Sequence, residues 1–394
     1  MPTAKRHTAI NPLLLPFSWI YGFVVKIRNY LFDVGFFKQE AFDIPVIAVG
    51  NITVGGTGKT PHVEMLVRLL KEKNKVAVLS RGYKRKSKGY VLAGDDATMH
   101  DIGDEPLQMK RKFPDIYVAV DKKRVEGIRR LTSDDETKDV DVILLDDAYQ
   151  HRYVKPGINI LLIDYNRLLI NDTLLPAGRM REPKSGTRRA DMVIVTKCPK
   201  NLKPVDYRVL TKSLKLLAYQ ELFFTTMDYG QLVPLFGDKE ATQPLSQLGK
   251  DENILLLTGI ASPALLQEEL ARHAHSIVPL TFADHHAFTA KDAEKINKTF
   301  ADMPAPKRIV TTEKDATRLA QLQNLSEEVR NRLFVLPITV KFMLEQEDHF
   351  NSKILSYVHK NSRNSILAKG KDDHRPKESH HASNETRTIS FRNN

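Results

Sequence analysis

The strongest constraint on the fold is a series of short segments, apolar along their whole length, that alternate with helical segments from Ile44 onwards. Strands that are apolar on both faces are typical of a parallel sheet covered by helices on each side. Before residue 200 these segments lie at 44–50, 76–80, 116–120, 140–146, 158–164 and 191–196. Their order predicts a three-layer α/β/α domain.

A second, shorter series of the same kind follows and predicts a smaller α/β lobe. Its strands are expected at 253–259, 276–282 and 308–312, with helices at 263–274 and 290–302. Two extended runs, Glu221–Gly230 and Leu333–Met343, flank this series. We expect them to meet as a short two-stranded connector between the lobes, a position suited to hinge motion.

These patterns divide the chain into four parts. They are an N-terminal helical segment at 1–37, the core domain at 38–220, the smaller lobe with its connector strands at 221–345 and a C-terminal segment at 346–394. From about residue 361 the chain is rich in Lys, Arg, Ser, Asn and His and almost lacks core-forming residues. That composition predicts a disordered tail.

Charge and cysteine content narrow the class of protein further. The formal net charge of +12 favours anionic partners such as phosphates, nucleic acid or acidic lipid headgroups. Cys198 is the only cysteine in the 394 residues, so an internal disulfide and a multi-cysteine zinc site are both excluded. A reducing compartment is expected for such a chain.

The N-terminal segment predicts an amphipathic helix. After Pro16, apolar residues recur at helical spacing, namely Trp19, Ile20, Phe23, Val24, Ile27, Leu31 and Val34. No apolar run reaches the roughly 20 residues of a spanning helix, and no small-residue cleavage site marks a secretory signal. Such a helix either packs on its own domain or lies in a membrane interface, and periodicity alone does not separate the two. We predict that it lies on a membrane without spanning it.

The most informative motif is GNITVGGTGKTP, which follows a predicted strand and begins a predicted helix. Main-chain N–H groups of such a loop, with the helix N-terminus, bind phosphate. We expect the phosphates of a nucleotide to be cradled by Gly55, Gly56, Thr57 and Gly58. Lys59 would reach the β- and γ-phosphates, and Thr60 would bind Mg²⁺. The strict G-x-x-x-x-G-K-[ST] pattern would need glycine at Thr53, and the alternative is a glycine turn with an incidental lysine.

A neighbouring strand supplies carboxylates. The segment VILLDDAYQH ends its apolar run with Asp146 and Asp147. Ligands of doubly wound sheets bind at the carboxyl ends of the strands, so we expect these carboxylates beside the glycine loop, where one of them holds Mg²⁺. A solvated strand end is the alternative. Together the two motifs favour nucleotide hydrolysis or phosphoryl transfer.

Three further stretches carry charged residues. RGYKRKSKGY, which starts at Arg81, either binds an anionic substrate or the membrane surface or is a solvated basic loop. GDEP precedes a helix, where Asp104 or Glu105 would by itself be a capping residue. FADHHAF places Asp284 beside His285. Such a pair can orient an imidazole or tune a base, and zinc binding is the alternative, although no spacing supports further ligands.

The motifs together resemble one family, the tetraacyldisaccharide 4′-kinases of lipid A biosynthesis. From the N-terminal helix to about residue 345, the chain contains, in the family's order, PVIAVGNITVGGTGKTP, LSRGYKRKSKG, GDEP, DDAYQH, LLPAGRMREP, RRADMVIVTK, FADHHAF and TTEKDATR. The resemblance implies a P-loop NTPase-like fold. It also implies transfer of the γ-phosphoryl group of ATP to the 4′-hydroxyl of a tetraacylated glucosamine disaccharide 1-phosphate, which forms lipid IVA.

The resemblance further implies roles for individual residues. Asp104 would be the catalytic base for the sugar hydroxyl, aided by the Asp284–His285 pair, and Arg179 would be a phosphate-stabilising cation. The two aspartates of DDAYQH would be the Mg²⁺ ligand and an active-site carboxylate, which we assign to Asp146 and Asp147 in that order. Ala148 stands in this motif where many relatives have glycine.

An acylated acceptor lies in a bilayer, so the family implies a peripheral protein on the cytoplasmic face of the bacterial inner membrane. The N-terminal helix and the basic loop would hold it there. We expect a monomer that has the glycolipid and the membrane surface as partners and binds no nucleic acid.

Three other functions compete with this one. A P-loop GTPase-like maturation factor would need an [NT]-K-x-D motif, but TKCP has Pro199 where the aspartate is required. A non-catalytic, membrane-attached nucleotide-binding module would bind ATP without forming a product. A nucleic-acid binder would fit the positive charge, but no recognition motif accompanies that charge.

Overall fold

The computed structural model describes residues 10–260 and 263–362, apart from the side chain of Asn171. Nearly all of the tail predicted from about residue 361 therefore lies outside the described residues, as does the start of the segment predicted at 1–37.

Within the described ranges the chain forms eleven α-helices and fourteen strands. The helices are α1 Leu15–Asp33, α2 Lys59–Leu70, α3 Met99–Ile102, α4 Asp104–Lys112, α5 Arg124–Ser133, α6 Pro204–Leu214, α7 Ala264–Leu270, α8 Ala290–Ala301, α9 Glu313–Leu319, α10 Glu327–Arg332 and α11 Glu347–Lys360. The strands are β1 Val46–Gly50, β2 Val76–Ser80, β3 Val91–Leu92, β4 Tyr117–Val120, β5 Val142–Asp146, β6 Ile158–Asp164, β7 Met192–Thr196, β8 Glu221–Tyr229, β9 Val233–Pro234, β10 Asn253–Thr258, β11 Ser276–Thr281, β12 Lys307–Thr312, β13 Leu333–Leu336 and β14 Ile338–Phe342.

The main sheet has nine strands in the order β14-β8-β7-β6-β1-β5-β2-β4-β3. The strands from β8 to β4 run parallel, and the two edge strands are antiparallel to their neighbours. One apolar layer packs under α2, α4 and α11, and the opposite face packs under α5 and α6. The predicted P-loop NTPase-like three-layer α/β/α fold is thereby confirmed. Since β1 lies between β5 and β6, its carboxyl end is where such sheets bind ligands.

The connector consists of β8 and β14, which pair antiparallel with Tyr229 opposite Ile338. Because β8 also pairs with β7, the connector forms the edge of the main sheet instead of a separate ribbon. The extended run predicted at 333–343 breaks at Pro337. The part before the proline, β13, pairs with β12 in the second lobe, and only β14 pairs with β8. Proline has no N–H group to continue a ladder, which accounts for the break.

The second lobe has a sheet of its own in the order β11-β10-β12-β13-β9, in which only β9 is antiparallel. Helices α8, α9 and α10 contribute to the apolar core on one face, and α7 contributes to the core on the other. The chain then returns to the first lobe, where α11 buries Phe350, Ile354 and Val358 in the main core. The second lobe is therefore an insertion between β8 and β14.

Helix α1 packs on the first lobe through Ser18, Gly22, Val25 and Phe32 and leaves most of its other apolar residues exposed. Ser18 and Gly22 are buried, and the Ser18 hydroxyl donates to the Leu174 carbonyl at 2.9 Å. The exposed side chains include Phe17, Trp19, Ile20, Phe23, Val24, Ile27 and Tyr30. Most of the predicted apolar stripe therefore faces away from the protein. Among the described residues, no helix has the length and hydropathy required to cross a bilayer.

Candidate active site

The glycine loop joins β1 to α2, as the sequence predicts. Its central residue, Thr57, is buried and accepts a hydrogen bond from Asn51 Nδ2 at 2.9 Å. The Thr196 hydroxyl at the end of β7 donates to the Thr57 carbonyl at 2.8 Å. Gly58 has a φ of 85°, a conformation that residues with side chains rarely adopt, and it immediately precedes Lys59. The loop is thus fixed at the helix N-terminus, which carries partial positive charge.

Two further side chains support this loop. Lys197, from the TKCP segment, donates to the Gly56 carbonyl. His62 of α2 is buried, with Nδ1 2.7 Å from the Gly58 carbonyl oxygen and Nε2 3.0 Å from Thr225 Oγ1 of β8. Burial lowers the pKa of His62 to about 4, so the ring is neutral near neutral pH. The loop is therefore linked directly to the connector.

Asp146 and Asp147 lie beside the loop because β5 is the neighbour of β1 in the sheet. The Asp147 carboxylate lies 3.5 Å from Lys59 Nζ and 3.2 Å from the Arg181 guanidinium. Burial raises the pKa of Asp147, but these two positive charges outweigh burial and leave the pKa below its usual value. The positive φ of this turn, 48°, falls on Asp147, so Ala148 does not need the conformational freedom of glycine.

Asp146 is buried, and its Oδ1 atom has no hydrogen-bond partner in the described part of the chain. Burial raises the pKa of Asp146 to about 7, and the charges of Glu105 and Asp147 add to the effect of burial, while Lys59 and Arg124 oppose it. A buried, unpaired carboxylate oxygen next to a phosphate-binding loop is a suitable ligand for a cation. The influence of Glu105 also places the GDEP segment near this strand end.

Asp104 and His285 bring the two lobes together. Asp104 is the first residue of α4, and His285 Nδ1 lies 2.8 Å from its Oδ2 atom. The capping position belongs to Gly103 instead, so Asp104 and Glu105 do not serve as the capping residue. Burial raises the pKa of Asp104, but the hydrogen bond with His285 and the charges of Lys314 and Arg318 outweigh burial and lower the pKa below its usual value.

Lys314 of α9 lies at the centre of a charged cluster at the junction of the two lobes. Its Nζ atom lies 3.1 Å from Asp284, 3.1 Å from His285 Nε2 and 3.2 Å from Glu105. Burial lowers the pKa of Lys314, but the charges of Glu105, Asp284 and Asp104 outweigh burial and raise it. Within the described ranges, no group of three or more His, Cys, Asp or Glu side chains is arranged to hold a metal ion.

The PAGRMREP segment lies against the glycine loop through its backbone. The Arg179 carbonyl accepts a hydrogen bond from Val54 N at 2.7 Å, whereas the Arg179 side chain is exposed. Arg181, two residues later, pairs with Asp147 and has its own carbonyl bonded by the Tyr21 hydroxyl at 2.8 Å. The N-terminal helix therefore supports the segment that holds Asp147.

The basic loop after β2 lies near the same edge. Its Lys84 donates to the His285 carbonyl at 3.4 Å. Burial and the charges of Arg124, Arg28 and Arg81 lower the pKa of His151, the last residue of DDAYQH, to about 4. Three arginines from three different segments thus act electrostatically on one half-buried imidazole.

The structure thus brings most of the predicted residues to one sheet edge and one junction between lobes. The exception is the Arg179 side chain, which points to solvent. Sequence reasoning missed Arg181 and Lys314, although both stand in quoted motifs, PAGRMREP and TTEKDATR. It also missed His62, whose partner lies on a distant strand.

Such a loop on the central strand of a parallel sheet, with carboxylates at the end of the next strand and a second lobe hydrogen-bonded to the first through His285 and Asp104, defines a P-loop kinase. The family model described as Tetraacyldisaccharide-1-P 4′-kinase matches residues 10–359, and the chain belongs to this family.

Curated relatives agree over nearly their whole length. The chain is 58% identical over 357 residues to a tetraacyldisaccharide 4′-kinase of Phocaeicola vulgatus, covering 90% of this chain and 97% of the relative. It is 50% identical over 373 residues to that of Bacteroides thetaiotaomicron, covering 93% and 98%. Among solved structures, the "apo" form of LpxK from Aquifex aeolicus in complex with ATP matches with a TM-score of 0.66 and 28% identity, over 88% of this chain and 98% of that one.

Proposed function

We propose that this kinase transfers the γ-phosphoryl group of ATP to the 4′-hydroxyl of a tetraacylated glucosamine disaccharide 1-phosphate, forming lipid IVA. One observation supports transfer to a hydroxyl group independently of the family assignment. A carboxylate of the first lobe, Asp104, is hydrogen-bonded to an imidazole of the second lobe, His285, at the sheet edge that holds the phosphate loop. A hydroxyl acceptor needs a proton acceptor at that place, and simple nucleotide binding does not.

The glycine loop binds the phosphates of ATP in this proposal. Main-chain N–H groups of Gly55 to Gly58 and the N-terminus of α2 face the phosphate oxygens, and Lys59 neutralises charge on the transferred group. The ATP complex of the Aquifex relative supports ATP as the nucleotide. Pro199 in TKCP stands where guanine recognition requires an aspartate, which argues against guanine selectivity.

The Thr60 hydroxyl and Asp146 would hold Mg²⁺. The buried Asp146 Oδ1 atom without a hydrogen-bond partner fits this role. Mg²⁺ takes few protein ligands and completes its shell with phosphate oxygens and water, so a set of two protein oxygens is sufficient. The ion would neutralise charge that develops on the phosphoryl group.

The remaining site residues either help to accept the proton of the sugar hydroxyl or hold and stabilise charge around the phosphates. Asp104 accepts the proton of the sugar hydroxyl, and the Asp284–His285 pair assists it. Asp147 keeps Lys59 and Arg181 in place through its ion pairs. Arg179 stabilises phosphate in this proposal, through a side chain that is exposed in this structure.

The acceptor reaches the site from a membrane surface in this proposal. The exposed apolar face of α1 lies in the interface, and the basic loop after β2 faces acidic headgroups. The chain acts as a monomer on the cytoplasmic face of the bacterial inner membrane and has no nucleic-acid partner.

Replacing Trp19, Ile20 and Phe23 together with serine should release the protein from vesicles of phosphatidylethanolamine and phosphatidylglycerol. Burying one such side chain contributes about 2 kcal/mol, so the triple change should lower the partition coefficient at least about tenfold even for shallow insertion. Sedimentation of the protein with vesicles measures this partition coefficient. The matched control is Val205→Ser with Val209→Ser, two exposed valines on α6. Equal binding of both variants would show that α1 is not the membrane contact.

The reaction itself is tested with purified protein, Mg-ATP and the tetraacylated disaccharide 1-phosphate in detergent micelles. We expect a bisphosphorylated lipid by mass spectrometry, little product with GTP and none after chelation of Mg²⁺. ATP binding without any product would favour the non-catalytic nucleotide-binding module instead.

A further inference from the structure

The His285 ring is held at both nitrogens by charged groups from different elements. Its Nδ1 atom lies 2.8 Å from Asp104 Oδ2 in the first lobe, and its Nε2 atom lies 3.1 Å from Lys314 Nζ in the second lobe. Lys314 is also paired with Glu105 at 3.2 Å and with Asp284 at 3.1 Å. The side chain of His285 is only 16% exposed, so water has little access to compete for these nitrogens.

These contacts decide where the protons of the ring lie. A lysine ammonium has three donors and no acceptor, so its partner at Nε2 must offer a lone pair. A ring with a lone pair on Nε2 is neutral and carries its proton on Nδ1, from which it donates to the Asp104 carboxylate. The reverse arrangement, with a proton on Nε2 pointing at Lys314, would need an uncharged lysine. Two carboxylates within 3.2 Å of Nζ oppose that state.

We propose that Lys314 is a positioning residue for phosphoryl transfer, which acts by holding His285 as the neutral Nδ1–H tautomer and so keeping Asp104 free to accept the proton of the acceptor hydroxyl. The inference rests on the proposed function, in which Asp104 is the base. Without Lys314, Nε2 is free to take a proton, and the imidazolium then stabilises the Asp104 carboxylate and weakens it as a base.

Other charged and titratable groups also face His285. Asp284 lies 3.9 Å from Nε2, Lys84 donates to the His285 carbonyl at 3.4 Å, and the Tyr83 ring packs against the imidazole. Arg318 bonds the neighbouring His286 carbonyl at 3.0 Å and fixes the loop. Within the part of the chain that the structure describes, Lys314 is the cation that contacts a ring nitrogen of His285. Removal of its charge therefore leaves two carboxylates, Asp104 and Asp284, to favour protonation of the ring.

The first test reads the tautomer directly in the full-length protein. Histidine labelled with ¹⁵N is incorporated, and the His285 signals are identified by their absence in His285→Asn. At about pH 7.5, above the ordinary histidine pKa, we expect Nδ1 to be protonated and Nε2 to be unprotonated in the wild type. A wild-type ring with its proton on Nε2, or on both nitrogens, would overturn the inference.

The second test uses the pH dependence of kcat/KM for the lipid acceptor. In Lys314→Met we expect kcat/KM to fall as the pH is lowered, by up to tenfold for each pH unit, because Nε2 is then open to protonation, whereas the wild type keeps its activity to lower pH. Lys314→Arg should restore most of the wild-type profile, since a guanidinium also donates to Nε2. The control is Lys291→Met, an exposed position on α8.

A merely structural role predicts a different result. Lys314→Met would then lose activity by the same factor at every pH, and that outcome would overturn the inference. If the variant does not fold, the tautomer of the wild-type ring still decides the question. If the wild type forms no phosphorylated lipid at all, the proposed function fails, while the ring signals report on Lys314 independently.

Discussion

Lys59→Ala is expected to lower kcat/KM for ATP by a factor of about 10³, because one cation placed at developing phosphoryl charge contributes on the order of 3–4 kcal/mol in a site that excludes water. The fold should survive. Lys59 begins α2 at a position accessible to the nucleotide, and its partner Asp147 keeps a second ion pair with Arg181. Radiolabelled phosphate transfer and thermal unfolding measure the two properties on the same preparation.

The matched control for Lys59 is Lys71→Ala, just beyond the other end of the same helix. Lys71 pairs with Asp115, which is well exposed, and an ion pair of that kind contributes little. We expect wild-type kinetics from this variant. Lys59→Ala with activity within about threefold of the wild type would contradict a phosphate-binding role for the loop.

Asp104→Asn is expected to lower kcat by a factor of about 10² to 10⁴ with little change in KM for either substrate. The amide has the shape of the carboxylate and can still accept a hydrogen bond from His285, but it cannot take the proton of the sugar hydroxyl. Initial rates at saturating ATP and lipid give kcat, and the titration of each substrate gives KM.

A carboxylate three residues earlier provides the control for Asp104. Asp101 caps the short helix α3 and is exposed, so Asp101→Asn should alter stability slightly and leave kcat unchanged. If Asp104→Asn keeps its kcat while Asp101→Asn behaves as expected, another group accepts the proton.

Much of the fold could be predicted because the main strands are apolar on both faces. The segment at 158–164 coincides with β6 and that at 76–80 with β2, since helices bury such strands completely and polar turns end them. The run at 333–343 was harder to divide into its two strands, because β13 and β14 are both extended and only Pro337 separates them. Local pattern does not show that consecutive strands join different sheets.

The site was predictable where chemistry is local to one segment. The functions of the glycine loop and of the two aspartates of DDAYQH can be predicted from their residue spacing and from the strand that precedes each of them. Arg181 and Lys314 could not be selected in the same way, because their importance comes from partners elsewhere in the chain, Asp147 and His285. The N-terminal helix is a similar case, since the packing of Ser18, Gly22, Val25 and Phe32 on the first lobe decides which face is exposed.

The insertion of the second lobe between two neighbouring strands has a consequence for the molecule's design. Tyr229 and Ile338 lie opposite each other in the sheet, so a tight turn could close the gap left by everything between them. The main sheet of the nucleotide-binding half is topologically complete without the second lobe. His285, the imidazole that partners the proton acceptor Asp104, belongs to the inserted lobe, which enters the chain at one place, between β8 and β14. The second lobe is therefore accommodated without interrupting any crossover of the main sheet.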